Sequence, residues 1–94
     1  MAKTIFAVRY VYDPKRGEDL ARIRPEHRTF LRALHDEGSL LASGPLGEGE
    51  ALIIILASDA TAALELLSPD PLNQAGIIAS RSAQQWQPVI GPWA

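Results

Sequence analysis

The heptapeptide Ala51-Leu52-Ile53-Ile54-Ile55-Leu56-Ala57 constrains the fold of this chain more than any other segment. It is far short of the roughly 20 apolar residues that a membrane helix needs. Its β-branched residues favour a strand. Leu52, Ile54 and Leu56 then point to one side of a sheet, and Ile53 and Ile55 to the other. Such a strand requires cover on both faces. Burying each of these side chains is worth roughly 1.5–3 kcal/mol, so leaving two or three on a bare sheet forfeits several kcal/mol and creates an adhesive patch. The chain has 94 residues, the length of one domain spanning 1–94. A monomer of that size is marginal, because it buries only somewhat more than about 60% of its unfolded surface. The simplest cover for the second face is the same face of another copy. The expectation is a homodimer with sheets packed face to face, any larger assembly being left open.

The other elements follow from local pattern. Thr4 to Tyr12 alternates, with Phe6, Val8, Tyr10 and Tyr12 on one side and Ile5, Ala7, Arg9 and Val11 on the other, which predicts a strand. Arg24-Pro25 opens a helix, with Glu26 at its positive end and Gly38 as its stop. Ser39 to Gly44 reads as a strand ending at Gly44-Pro45, and Gly47-Glu48-Gly49-Glu50 as a hairpin loop. After the apolar strand, Ser58 or Asp59 caps a helix over about Ala60 to Leu67. Ser68-Pro69-Asp70-Pro71 forms a loop, and a last strand runs from about Gly76 to Gln87. The order β-α-β-β-α-β predicts an α+β, ferredoxin-like subunit, with two helices on one face of a four-stranded antiparallel sheet.

Composition removes several functions. Cysteine is absent, which excludes disulfides, thiolate catalysis and thiolate metal sites. Two histidines, His27 and His35, argue against a multi-histidine metal site. A net charge of −2 and a pI near 5.6 argue against nucleic-acid binding, since acidic neighbours dilute the arginines between positions 9 and 32. No apolar stretch is long enough to span a membrane, and the start lacks signal-peptide features, so the expected location is cytoplasmic.

His27 is the most informative polar residue. About 100° per residue puts Phe30, Leu31 and Leu34 within roughly 60° of it, so an imidazole stands on the helix's apolar face. It is either a hydrogen-bonded core histidine or part of a pocket whose chemistry uses it. Asp70, held between two prolines, either initiates a turn or orients the imidazole as a general acid or base. Ser43-Gly44-Pro45 reads as a strand end, or as a ligand contact through the Ser43 hydroxyl and the Gly44 backbone. His35 suits the helix C-terminus, and Arg24, Arg28 and Arg32 read as a solvated helix face. Arg24 and Arg9 are the alternative contacts for an anionic ligand. Trp86 and Trp93 suggest a C-terminal segment packed on the fold or on a partner. There is no nucleophile elbow, and the Gly47/Gly49 loop lacks phosphate-loop spacing.

Arg24-Pro25-x-His27, Leu34-His35-Asp36-Glu37-Gly38, Ser43-Gly44-Pro45, Asp70-Pro71 and Ala75-Gly76 together resemble the YciI-like (YCII-related) proteins, over about Ile5 to Val89. The resemblance implies a dimeric α+β barrel with a ferredoxin-like subunit and an active-site His–Asp pair at His27 and Asp70. Some relatives are dehydrochlorinases of chlorinated hydroxyquinones, and the fold is shared with muconolactone isomerase. The chain departs from the family in having Leu72 where an aromatic residue often follows Asp-Pro, and in its short hairpin between strands two and three.

Two functions are in view. One is a small-molecule enzyme of lyase or isomerase type, dehydrochlorinase-like and working without cofactor or metal. In it His27 and Asp70 act as the acid/base pair, and Ser43, Gly44, Arg9 and Arg24 contact a small, cyclic or aromatic substrate. The other is a non-catalytic dimeric module that binds a small ligand or regulates.

Overall fold

Four strands, β1 (Thr4–Tyr12), β2 (Leu40–Leu46), β3 (Glu50–Ala57) and β4 (Ile78–Gln85), form an antiparallel sheet of order β2-β3-β1-β4. The computed structural model describes residues 2–94. Helix α1 (Gly17–Asp36) connects β1 to β2 after a short 3-10 turn at Pro14–Arg16. Helices α2 (Ala60–Leu66) and α3 (Pro71–Gln74) connect β3 to β4. This is the α+β, ferredoxin-like arrangement, with the two most apolar strands at the centre of the sheet.

Alternation sorts the side chains between the two faces. Phe6, Val8, Tyr10 and Tyr12 of β1 and Ala51, Ile53, Ile55 and Ala57 of β3 form one core cluster. They share it with Leu20, Leu31 and Leu34 of α1, Ala63 of α2, Leu72 of α3, and Leu67 and Ile77. The opposite face carries Ile5, Ala7 and Val11 of β1, half-buried, beside half-buried Leu52 and Leu56 and buried Ile54 of β3. None of these six belongs to the cluster that the helices share.

Helix α1 begins at Gly17, so Pro25 lies inside it rather than at its first turn. Glu18 and Asp19 occupy the first turn and suit its positive end. Pro25 cannot donate to the Ala21 carbonyl, but both residues are exposed and water can serve that oxygen. Strand β2 likewise runs through Gly44-Pro45 to Leu46, with Pro45 opposite Ala51. Proline is tolerated there because β2 is an edge strand with one side unpaired. Asp70 starts a helical turn rather than lying in plain loop. At the C-terminus Trp86 and Trp93 pack edge to face, 6.1 Å between ring centres, and leave Val89 81% and Ile90 94% exposed.

A register shift in β2 places the residues near the site. Leu40 pairs with Ile55 and Ala42 with Ile54, so Leu41 is an extra residue. This bulge puts both Leu40 and Ser43, three residues apart, on the helix-covered face.

Candidate functional site

Three elements deliver one buried polar cluster. His27 comes from the middle of α1, Tyr10 from β1, and Asp70 from the turn that caps α3. Pro71 starts α3, where a missing N–H costs nothing, and the Asp70 Oδ1 accepts from the Leu72 N–H at 3.0 Å. The Tyr10 hydroxyl donates to Oδ2 at 3.0 Å. His27 Nδ1 lies 2.9 Å from Oδ1 and 2.8 Å from Oδ2. Asp70 is 0% exposed and His27 7%. A carboxylate with no water around it is tolerable only when donors replace the water, and here three do.

These contacts fix the roles of the neighbours. Burial first, then the Asp70 charge and the hydrogen bond to it, push the Tyr10 hydroxyl well above the usual phenol range, which keeps it a donor. Burial and Asp70 also push Tyr12 up, against the opposing pull of Arg24 and Arg28. A carboxylate as partner calls for hydrogen on Nδ1 of His27, which leaves the lone pair of the neutral ring on Nε2. Nε2 has no hydrogen-bond partner among the described residues, yet no buried side-chain nitrogen or oxygen is left unpartnered. Nε2 is therefore open to solvent space.

That space is a cavity of about 520 Å³ between α1 and β2. One wall is Arg24, His27, Arg28, Leu31, Arg32 and His35. The other is Leu40 to Pro45, over a floor of Tyr12, Ala51 and Ile53. Measured from His27, Arg24, His35, Arg28 and Arg32 lie at about 60°, 80°, 100° and 140° around α1, a single flank. His27, Arg24, Ser43 and Gly44 therefore meet at one cavity, with Asp70 behind the imidazole.

Other expectations are corrected. Arg9 lies on the opposite face of the sheet, where its side chain is 58% exposed and pairs with Glu50. The alternation that buries Val8 and Tyr10 sends it there. Arg28 and Arg32 are exposed as a solvated helix face requires, but they also line the cavity, as does His35. Gly44 borders the cavity through its backbone, and a Cβ there meets nothing within 4 Å, so no close approach demands glycine. Sequence reasoning missed Tyr10, which it placed only on one side of the first strand. Its signal is a hydroxyl on a mid-strand buried position, which needs a partner. Among the described residues no group of three or more His, Cys, Asp or Glu side chains is placed to hold a metal ion. No helix of the described residues is long and apolar enough to cross a membrane.

Fold and site define a ferredoxin-like α+β subunit that carries an aspartate-anchored histidine at a cavity. The YCII-related domain model matches residues 5–87, and the chain belongs to that family. None of the curated proteins matches it in sequence. Among solved structures it is similar to 5-chloro-2-hydroxyhydroquinone dehydrochlorinase (TftG) from Burkholderia phenoliruptrix AC1100, in complex with 2,5-dihydroxybenzoquinone. That match has 16% identity and a TM-score of 0.77, and covers 89% of this chain and 94% of the other. A NIPSNAP family protein from Agrobacterium tumefaciens str. C58 matches with 14% identity and a TM-score of 0.59, covering 96% and 97%. The protein NE2512 of unknown function from Nitrosomonas europaea matches with 17% identity and a TM-score of 0.57, covering 97% and 93%. At these identities the likeness concerns the fold.

Proposed function

We propose that the chain is a small-molecule enzyme of lyase or isomerase type in which His27 is the general acid and base and Asp70 its positioning partner. The carrying observation is the imidazole whose Nδ1 is fixed 2.8 Å from a fully buried carboxylate while its ring lines a cavity. Nε2 takes a proton from a substrate carbon, and Asp70 stabilises the imidazolium that forms. In an elimination the C–H electron pair becomes the new double bond, the leaving group departs with its own bonding pair, and the proton passes to solvent. In an isomerisation the same proton returns to a different carbon. Either sequence is complete with one acid/base group. A likeness in fold to a dehydrochlorinase supports this reading and leaves the substrate open. Small cyclic or aromatic carbon acids fit the cavity's size. Ser43 and the Gly44 backbone are its polar contacts on the β2 side.

We also propose that residues 1–94 act as one domain, in the cytoplasm, as a homodimer paired through the sheet face that no helix shares. Half-buried Ile5, Ala7, Val11, Leu52 and Leu56 support that pairing.

Imidazole 15N NMR on wild type and Asp70→Asn, with deuterium uptake by a panel of small cyclic carbon acids in D2O, tests the enzyme reading. Expected are the Nδ1–H tautomer in wild type, its loss in Asp70→Asn, and exchange that disappears in His27→Gln. An Nε2–H tautomer in wild type, or exchange indifferent to His27, leaves a ligand-binding module instead.

A further inference from the structure

We propose that the cavity takes a small organic acid, its carboxylate held by the guanidinium stripe of Arg24, Arg28 and Arg32 and its carbon skeleton laid on the apolar wall beside His27. This deepens the function proposed above by naming the substrate class of the same site.

Three observations lead there. The first is a contrast among the arginines. Arg9 pairs with Glu50, Arg16 and Arg22 with Asp19, and Arg81 donates to the Leu64 carbonyl. Arg24, Arg28 and Arg32 make no side-chain hydrogen bond or ion pair among the described residues, and all three line the cavity. Successive like charges four residues apart disfavour a helix, so the spacing does nothing for α1 by itself. An anion between the guanidiniums removes that repulsion.

The second is the sign of the cavity. Its lining includes three arginines and two histidines but no aspartate or glutamate. The whole chain, by contrast, is net negative at −2. Asp70, the nearest acid to His27, is sealed behind it and already accepts from three donors. A cavity with this polarity in an acidic protein selects anions.

The third is the division of the walls. Leu31, Leu40, Leu41, Ala51 and Ile53 form an apolar surface beside the cationic flank. Inorganic phosphate uses only the flank, whereas an organic acid uses both. Guanidinium bonds carboxylate with two parallel N–H donors, which fixes orientation as well as charge. Neighbouring positive charge also favours the enolate that forms when a carbon next to the carboxylate gives its proton to Nε2.

The test is titration of the 15N-labelled full chain with benzoate, benzamide and inorganic phosphate, followed by amide shifts. Variants are His27→Gln and the triple Arg24→Gln, Arg28→Gln, Arg32→Gln, whose glutamines keep helix propensity at these positions. Benzoate is expected to saturate and to shift α1 over 24–35 and β2 over 40–45. Benzamide and phosphate are each expected to bind about tenfold or more weakly, and the triple variant to lose at least about tenfold for benzoate, as loss of charge-assisted bonds requires. Unchanged amide shifts outside α1 and β2 show that the triple variant is folded. Equal affinity for benzamide or phosphate, an unweakened triple variant, or no saturable benzoate binding overturns the proposal. Binding that depends on the arginines, with deuterium exchange indifferent to His27, supports the substrate class while the acid/base reading fails.

Discussion

The two faces of the sheet come from the same strands, and they differ in what they carry. On the helix side Val8, Tyr10, Ile53 and Ile55 are fully buried, and the polar groups among them are matched donor to acceptor. On the other side the side chains of β1 and β3 are apolar apart from the paired Arg9 and Glu50, and five of them are half-buried. A polar network held in low dielectric can orient an imidazole. A mainly apolar face whose two charges pair with each other offers contact area and little chemistry. The contrast is what the proposed division, catalysis on one face and assembly on the other, would require, and three measurements can break or sharpen it.

The largest effect is expected on the proposed assembly face. Leu52→Glu with Leu56→Glu introduces charge at half-buried positions, so the single subunit loses little. In a two-fold dimer each change appears twice and the like charges meet across the axis. The dimer Kd is expected to rise at least about 100-fold, read by sedimentation, while far-UV circular dichroism is unchanged. A wild-type chain that sediments as a monomer at micromolar concentration removes the dimer altogether.

A smaller effect tests the helix face. Tyr10→Phe keeps the ring and deletes one of the three donors to Asp70. The expected cost is about 1–2 kcal/mol at neutral pH, read by urea unfolding, because the carboxylate is left under-satisfied. The pH dependence carries a sign. Tyr10 is held above its ordinary range in the folded chain by burial and by Asp70, so the unfolded chain ionises first as pH rises. Its contribution is complete below about pH 10 and is lost progressively above it. Tyr12, also raised, adds in the same direction. Tyr10→Phe is therefore expected to flatten the alkaline fall in stability, and an unchanged slope denies the burial of that hydroxyl.

How much of this could be read from the sequence differs between the faces. Strand β3 was legible on both sides, since period-two alternation is a local property. His27 was legible as an intruder among Phe30, Leu31 and Leu34 for the same reason. The start of α1 was not, because Pro25 outweighs Gly17 to Arg24 in any local reading, and only solvent at the Ala21 carbonyl makes it tolerable. The Nδ1–Asp70 contact spans 43 residues, and family resemblance rather than spacing brought the two together. Nothing local marks Leu41 as a bulge, although the bulge decides which β2 residues share the helix-covered face. Arg28 and Arg32 show the same limit, since a solvated helix face becomes a cavity wall only once β2 lies alongside.

The smallest expected effect separates the faces most sharply. Arg9 and Arg28 carry the same group, yet the sequence offers Arg9 as an anion contact and reads Arg28 only as a solvated helix face. Arg9 stands on the open face with Glu50, an exposed pair of the kind worth at most about 1 kcal/mol. Arg9→Gln is expected to change stability by less than about 0.5 kcal/mol and to leave benzoate affinity unaltered, read in the same titrations as Arg28→Gln. The reason is geometric, because the sheet itself lies between Arg9 and the cavity of its own subunit. A loss of affinity in Arg9→Gln comparable to that in Arg28→Gln means that the open face of one copy reaches the cavity of another. The division between a face for chemistry and a face for assembly then fails at that residue, and the site belongs to the dimer rather than to the subunit.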